Sequence, residues 1–168
     1  PFSPDGKERG KLAEELKFSV FGTSAKYIDA CREHNIFPIT FSKLPKLRSI
    51  LSTGSPLIEE SFEYVYKHVK RDVHLASISG GTDIISCFAL GSPTLEVVKG
   101  ELQCRGLGMD VHSYDENGNA IIEKKGELVC TSAFPSMPVY FWNDRDGSKY
   151  KNAYFSTFPS IWHHGDFI

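Results

Sequence analysis

The sequence lacks the features that direct a protein to a membrane or to a nucleic acid. It contains no run of about 18 apolar residues, which a membrane-spanning helix requires. Its 19 Lys and Arg residues are balanced by 21 Asp and Glu residues, and no basic stripe of the kind that binds nucleic acid is visible. Residues 1–6 read as a polar loop and not as a signal peptide. The sequence therefore predicts neither nucleic acid nor a membrane as a partner.

Cysteine is infrequent, and the phosphate loop of many nucleotide-binding proteins is missing. No Gly-x-x-x-x-Gly-Lys segment occurs in the chain. The 4 cysteines form no Cys-x-x-Cys pair and lie far apart in apolar runs, so they predict buried free thiols. Such thiols are typical of a reducing compartment, which favours a cytoplasmic location. The cysteines are Cys31, Cys87, Cys104 and Cys130.

The first half of the chain alternates strand patterns with helix patterns. This order predicts an α/β unit with a partial parallel sheet over residues 1–90, because parallel strands need crossover helices. Ser55 and Pro56 have the residue types of an N-cap and a first helical position. The predicted strands are residues 18–21, 48–52 and 75–79, and the predicted helices are residues 10–16, 24–34 and 55–70.

The second half loses helical periodicity at about Gly91. Short alternating segments there predict a small antiparallel β subdomain over residues 91–168, with a hairpin turn at residues 115–119. Residues 132–162 are rich in proline and aromatic side chains and predict a long, packed, irregular loop. The predicted strands are residues 95–98, 100–104, 109–114, 120–122 and 127–131.

Polar residues follow each predicted strand of the first half. In parallel sheets ligands bind beyond the carboxyl ends of the strands, so residues 22–24, 53–56 and 79–83 are expected to line one cleft. In the last of these, two glycines allow close approach of a ligand to the backbone, and Thr82 and Asp83 supply a hydroxyl and a carboxylate for a phosphate and its magnesium ion. The alternative is a turn in which the glycines serve conformation only.

Four short motifs in this order resemble the AMP-forming acyl-CoA synthetases, the superfamily that includes adenylation domains and luciferases. They are Ser-Thr-Gly-Ser-Pro-Leu at residues 52–57, Ser-Gly-Gly-Thr-Asp at residues 79–83, Gly-Glu-Leu-Val-Cys at residues 126–130 and Trp-His-His-Gly-Asp at residues 162–166. The resemblance implies that the chain is a central fragment of the family's large N-terminal domain. It also implies that the phosphate loop and the C-terminal domain are absent and that the isolated fragment is inactive.

The resemblance also implies roles for individual residues. Thr82 would bind the α-phosphate of ATP, and Asp83, where the family usually has Glu, would contact Mg²⁺. Asp166 would accept hydrogen bonds from both ribose hydroxyls, with a helix or turn cap as its alternative role. The residues expected to flank the adenine and the acyl group are Gly54, Ser55, Pro56, Ser79, Gly80 and Gly81.

The activity that the resemblance implies uses ATP, Mg²⁺ and CoA. The segments at residues 78–87 and 141–144 are similar to the branch that activates acetoacetate, and Gly80 would leave room for an acid longer than acetate. Two alternatives stay open: another short-chain acid, or a non-catalytic nucleotide-binding or structural fragment. Lys26 would meet a carboxylate or phosphate or lie in solvent, and the aromatic residues of 134–162 would stack on a ligand or pack the core.

Overall fold

The computed structural model describes residues 7–168, so the polar loop predicted at residues 1–6 lies outside the described residues. The chain forms two compact units. The first comprises the residues up to Ser79 together with Leu90–Cys104, and the second comprises Gly80–Ala89 and Arg105–Ile168. Among the described residues no helix is long and apolar enough to cross a membrane.

The sequence predicted a single boundary after residue 90. In the structure, residues 80–89 belong to the second unit and residues 90–104 to the first. Ile84 and Phe88 are fully buried in the core of the second unit, which draws residues 80–89 into it. Residues 90–104 return to the first unit, where the Gln103 side chain contacts the His74 ring at 2.8 Å.

A parallel sheet organises the first unit and confirms the predicted α/β pattern. Its order is β1-β2-β3, and the register pairs Ser24 with Thr53 and Ser52 with Ser77, so the carboxyl ends of the strands share one edge. The elements are α1 (Glu8–Leu16), β1 (Val20–Ser24), α2 (Ala25–Glu33), a 3₁₀ turn (Pro38–Thr40), β2 (Ser49–Thr53), α3 (Glu59–Tyr64), a π-helical turn (Val65–Val69) and β3 (His74–Ser77).

Helix α2 forms as its sequence predicts. The Ser24 hydroxyl accepts a hydrogen bond from the Tyr27 backbone N–H at 3.2 Å, which caps the helix. Ala25, Ile28 and Cys31 lie on its buried face. The amphipathic spacing and the cap act on the same residues, and their agreement accounts for the correct prediction of this helix.

The predicted cap of the next helix is wrong. Helix α3 begins at Glu59 after an extended Ile58, and no side chain caps it. Gly54 has φ of 82°, and burial of Leu57 in the core keeps the chain extended beyond Ser55. The Ser-Pro pair therefore belongs to the loop after β2 and not to the helix.

Antiparallel pairing dominates the second unit and confirms the predicted β subdomain. A four-stranded sheet has the order β10-β9-β7-β8, with Trp162 opposite Cys130 and Val111 opposite Cys130 on the other side. The elements from the end of the first unit onward are β4 (Ser79–Gly81), β5 (Ser86–Leu90), β6 (Cys104–Arg105), β7 (Val111–Tyr114), β8 (Ala120–Ile121), β9 (Glu127–Cys130), α4 (Ser148–Tyr154) and β10 (Trp162–Phe167).

Three predictions for this half are wrong. Residues 100–104 form no strand apart from Cys104, which begins β6. Residues 95–98 form no strand, because the Gln103 amide donates to the carbonyls of Ser92, Leu95 and Glu96 at 3.0–3.1 Å and so replaces a partner strand. The segment predicted as an irregular loop contains α4. The Asp144 carboxylate accepts from the backbone N–H groups of residues 149 and 150 at 3.1 and 2.9 Å and so stabilises the first turn of α4.

Aromatic side chains fill the core of the second unit. Trp162 is 1% exposed and lies against Phe134, with ring centroids 5.3 Å apart in an edge-on arrangement. The Trp162 ring also stacks on the Tyr154 ring, with 3.6 Å between centroids. Core packing therefore accounts for several of the aromatic residues of the 134–162 segment.

Candidate functional site

The turn after β4 presents its polar side chains to solvent while its apolar residue anchors it. Ile84 is fully buried in the core of the second unit. Thr82 and Asp83, just before it, are exposed, and Ile85, just after it, has φ of 49°. The turn is thus held by one buried side chain, and the predicted hydroxyl and carboxylate are accessible to a ligand.

Gly80 is required by backbone packing. A Cβ at this position would lie 2.2 Å from the Ser86 carbonyl oxygen and 2.8 Å from the Cys87 Cα. Any side chain here needs a shift of β4 away from β5. A Gly80→Trp substitution would therefore change the pairing of β4 with β5 and would not measure the size of an acyl pocket.

Gly81 has a different neighbour. Its Cβ would lie 2.7 Å from Cε1 and 3.0 Å from Nε2 of the His164 ring. The backbone of the turn therefore approaches the ring directly. This contact brings the Gly-Gly-Thr-Asp motif and the Trp-His-His-Gly-Asp motif together within the second unit.

Asp83 is paired with a residue that the sequence did not single out. The Tyr154 hydroxyl donates a hydrogen bond to Oδ2 of Asp83. Burial, and then the neighbouring Asp83 carboxylate, raise the pKa of Tyr154 well above its usual range. Tyr154 lies at the end of the unpredicted helix α4, and its distance of 71 residues from Asp83 left no local signal.

His164 lies near both predicted acids. Its Nε2 is 3.7 Å from Oδ2 of Asp166, and Trp162 Nε1 donates to its Nδ1 at 3.4 Å. Because Nδ1 accepts a hydrogen bond, the proton of the neutral ring is on Nε2, which faces Asp166. Burial lowers the pKa of His164, while the carboxylates of Asp166 and Asp83 act in the opposite direction. Both carboxylates therefore influence the pKa of the His164 ring.

Asp166 itself is well placed for a ligand. It lies inside strand β10, after Gly165 with φ of 89°. Its side chain is 61% exposed, and its Oδ2 lies 3.7 Å from Nε2 of His164. An exposed carboxylate with free oxygens suits two vicinal hydroxyl donors.

The residues present fit a magnesium ion only if the ligand supplies other oxygens. Within residues 7–168 no group of three His, Cys, Asp or Glu side chains could hold a metal. Asp83 Oδ2 is occupied by Tyr154, and Oδ1 accepts no hydrogen bond from this part of the chain. One carboxylate is the usual protein share for Mg²⁺ that is also bound by substrate phosphates.

The predicted residues of the first unit lie at the carboxyl edge of its sheet. Gly54 follows β2, and a Cβ on it would meet nothing within 4 Å. At the same edge the register pairs Thr23 with Ser52, and the hydroxyl oxygens of both are buried with no hydrogen-bond partner among the described residues. Unpaired buried hydroxyls are typical of a place where water or a ligand completes the contact. The roles of Gly54, Ser55, Pro56 and Ser79 stay predictions.

The lowered pKa of His164 predicts a pH-dependent stability. The unfolded state binds a proton near the ordinary histidine pKa of about 6.5, whereas the folded state resists it. Stability is therefore complete above that pH, decreases as the pH falls below it, and levels off below the folded-state pKa. A melting-temperature series from about pH 7.5 to about pH 5 measures this decrease, which His164→Asn should make shallower.

Equal slopes for His164→Asn and the unmodified protein would contradict the assignment of the effect to the buried ring.

Comparison with known proteins gives a family of similar sequences. No protein-family model matches the chain. Over 167 residues, or 99% of the chain, it is 55% identical to acetoacetyl-coenzyme A synthetase of Rhizobium meliloti (strain 1021) and 48% identical to acetoacetyl-CoA synthetase of Gallus gallus. The chain spans about a quarter of the length of these relatives, 26% and 25%.

Solved structures give the same result for the fold. The chain is 43% identical to acetoacetyl-CoA synthetase from Streptomyces lividans, with a TM-score of 0.89 over 99% of the chain and 26% of that protein. An anthranilate CoA ligase in complex with anthranoyl-AMP is 14% identical, with a TM-score of 0.76 over 96% of the chain and 29% of that protein. The predicted fold class, a parallel α/β subdomain followed by an antiparallel β subdomain, is confirmed.

Proposed function

We propose that this chain, which is homologous over 99% of its length to acetoacetyl-CoA synthetases, supplies nucleotide- and metal-contacting residues of an acid–thiol ligase. Its substrates would be acetoacetate, ATP and CoA, and its products acetoacetyl-CoA, AMP and pyrophosphate. The observation that carries the proposal is the position of His164, which contacts Asp166 and senses the charge of Asp83. Asp83 and Asp166, which the motifs assign to one bound nucleotide, lie 83 residues apart in the sequence and share His164 as a neighbour.

The residues have distinct tasks in the proposed reaction. The acid's carboxylate attacks the α-phosphorus of ATP, pyrophosphate leaves, and an acyl-adenylate forms. Thr82 donates a hydrogen bond from its hydroxyl to the α-phosphate, whose negative charge increases at this step. Asp166 accepts from the ribose hydroxyls and fixes the nucleotide. The CoA thiolate then attacks the acyl carbon, and AMP leaves.

The metal belongs to the same proposal. Mg²⁺ bound to the phosphates would neutralise part of the charge that develops on them. Asp83 would hold that ion through Oδ1, because its Oδ2 accepts the Tyr154 hydrogen bond. The exposed turn leaves this carboxylate accessible, and the burial of Ile84 keeps it in place.

A substrate panel tests the proposal on the full-length protein. Acetoacetate, acetate and 3-hydroxybutyrate are each supplied with ATP, Mg²⁺ and CoA, and the acyl-CoA and AMP formed are measured. Acetoacetate should give the highest kcat/KM. Preference for a different acid would favour another ligase of the same type, and nucleotide binding without turnover on any acid would favour a non-catalytic role.

A further inference from the structure

Asp83 is exposed, and one rigid neighbour restricts it. Oδ2 of Asp83 accepts a hydrogen bond from the Tyr154 hydroxyl, the donor that residues 7–168 supply to this carboxylate. An exposed carboxylate without such a donor rotates about its side-chain bonds and must be ordered when a ligand binds. With Oδ2 held, Oδ1 has a defined direction before any ligand arrives.

Neighbouring aromatic rings restrict the position of the Tyr154 side chain. Its residue is 6% exposed, and its ring stacks on Trp162 with 3.6 Å between centroids and 14° between planes. Phe141 and Tyr150 contact the ring edge-on at 5.8 and 5.7 Å. Close packing of this kind leaves the phenol one position, so its hydroxyl is a fixed donor.

The same packing reaches the second acid. Trp162 begins strand β10, which also carries His164 and Asp166. The ring that supports Tyr154 is therefore on the strand that presents Asp166, and Trp162 Nε1 also donates to His164. Asp83 and Asp166 are positioned from one aromatic support, although they lie on separate elements.

We propose that Tyr154 is a positioning residue. It fixes the Asp83 carboxylate so that Oδ1 is directed toward a divalent cation bound to a nucleoside triphosphate. This inference rests on the proposed function, because it assigns the cation and the phosphates to Asp83. Tyr154 acts through Asp83 and does not touch the substrate.

The variant that tests this is Tyr154→Phe in the full-length protein. It removes one hydroxyl and keeps the ring that packs on Trp162. The measurement is the Mg²⁺ concentration that gives half of the ATP-dependent rise in melting temperature, which needs no turnover. We expect this concentration to increase about three- to tenfold, since the carboxylate must then be ordered at binding.

Tyr150→Phe is the matched control. Tyr150 belongs to the same aromatic cluster, but its hydroxyl donates to the Pro138 carbonyl at 2.5 Å and not to Asp83. Its Mg²⁺ requirement should stay within about twofold of that of the unmodified protein. A purely structural role for Tyr154 would lower the melting temperature of both variants without ligand and would leave the Mg²⁺ requirement unchanged.

A double variant completes the test. In an Asp83→Asn background, Tyr154→Phe should cause no further change in the Mg²⁺ requirement, because the two residues act as one unit. An unchanged Mg²⁺ requirement for Tyr154→Phe alone would overturn the positioning role and leave the proposed function intact. Absence of any Mg²⁺-dependent stabilisation by ATP in the unmodified protein would overturn both.

Discussion

Asp83→Asn is expected to lower the rate of acyl-adenylate formation about 100-fold in the full-length protein, a loss typical for removal of one group that stabilises charge in a transition state. Asn keeps an oxygen that can accept the Tyr154 hydrogen bond, so the fold of the turn is preserved. It loses the negative charge that would hold Mg²⁺. Acid-dependent exchange of labelled pyrophosphate into ATP measures this step without CoA.

Asp72→Asn provides the control for this substitution. The Asp72 side chain is 85% exposed and lies 3.7 Å from the Lys70 ammonium, so solvent screens its carboxylate. Its exchange rate should equal that of the unmodified protein. If Asp83→Asn also retained more than about a third of that rate, the carboxylate would have no part in the phosphoryl chemistry.

Trp162→Ala should cause the largest loss of stability, about 3–5 kcal/mol, which is the usual cost of truncating a buried Trp. The side chain is 1% exposed, stacks on Tyr154 and contacts Phe134. The cavity left by its removal would take the support from both Tyr154 and the start of β10. Chemical denaturation of the full-length protein, followed by far-UV circular dichroism, measures the change.

Trp142→Ala is the same substitution at the other tryptophan of the chain. Trp142 is 85% exposed, so its truncation removes little buried surface and should change stability by less than about 0.5 kcal/mol. Equal losses for the two variants would show that the second unit does not depend on the aromatic core around Trp162.

Helix α2 and the polar strand ends could be predicted because their signals are local. The N-cap Ser24 and the buried spacing of Ile28 and Cys31 lie within one stretch of sequence. The three parallel strands also end in small polar residues, and their register brings those ends to one edge. In such cases the residues that determine the structure are neighbours in sequence.

The failures occur where one particular side-chain contact determines the backbone conformation. Helix α4 depends on Asp144, which accepts from backbone N–H groups five and six residues later and so lacks the usual capping spacing. The non-strand conformation at residues 95–98 depends on one glutamine side chain, Gln103. No periodicity or composition rule contains either contact.

The candidate site shows the same limit. Thr82, Asp83 and Asp166 could be selected from motifs, because their chemistry suits phosphate, metal and ribose. Tyr154 could not, since its role follows from a hydrogen bond across the fold of the second unit. Gly80 was selected for the space it leaves, whereas the structure shows that β4 and β5 approach too closely for any Cβ there.

The most direct test of the central claim is a crystal structure of the full-length protein with a non-hydrolysable acetoacetyl-adenylate analogue. We expect the ribose hydroxyls to donate to the Asp166 carboxylate and the phosphate mimic to accept from the Thr82 hydroxyl, with Asp83 directed toward the same phosphate. A bound nucleotide that contacts neither Asp166 nor Thr82 would contradict the account.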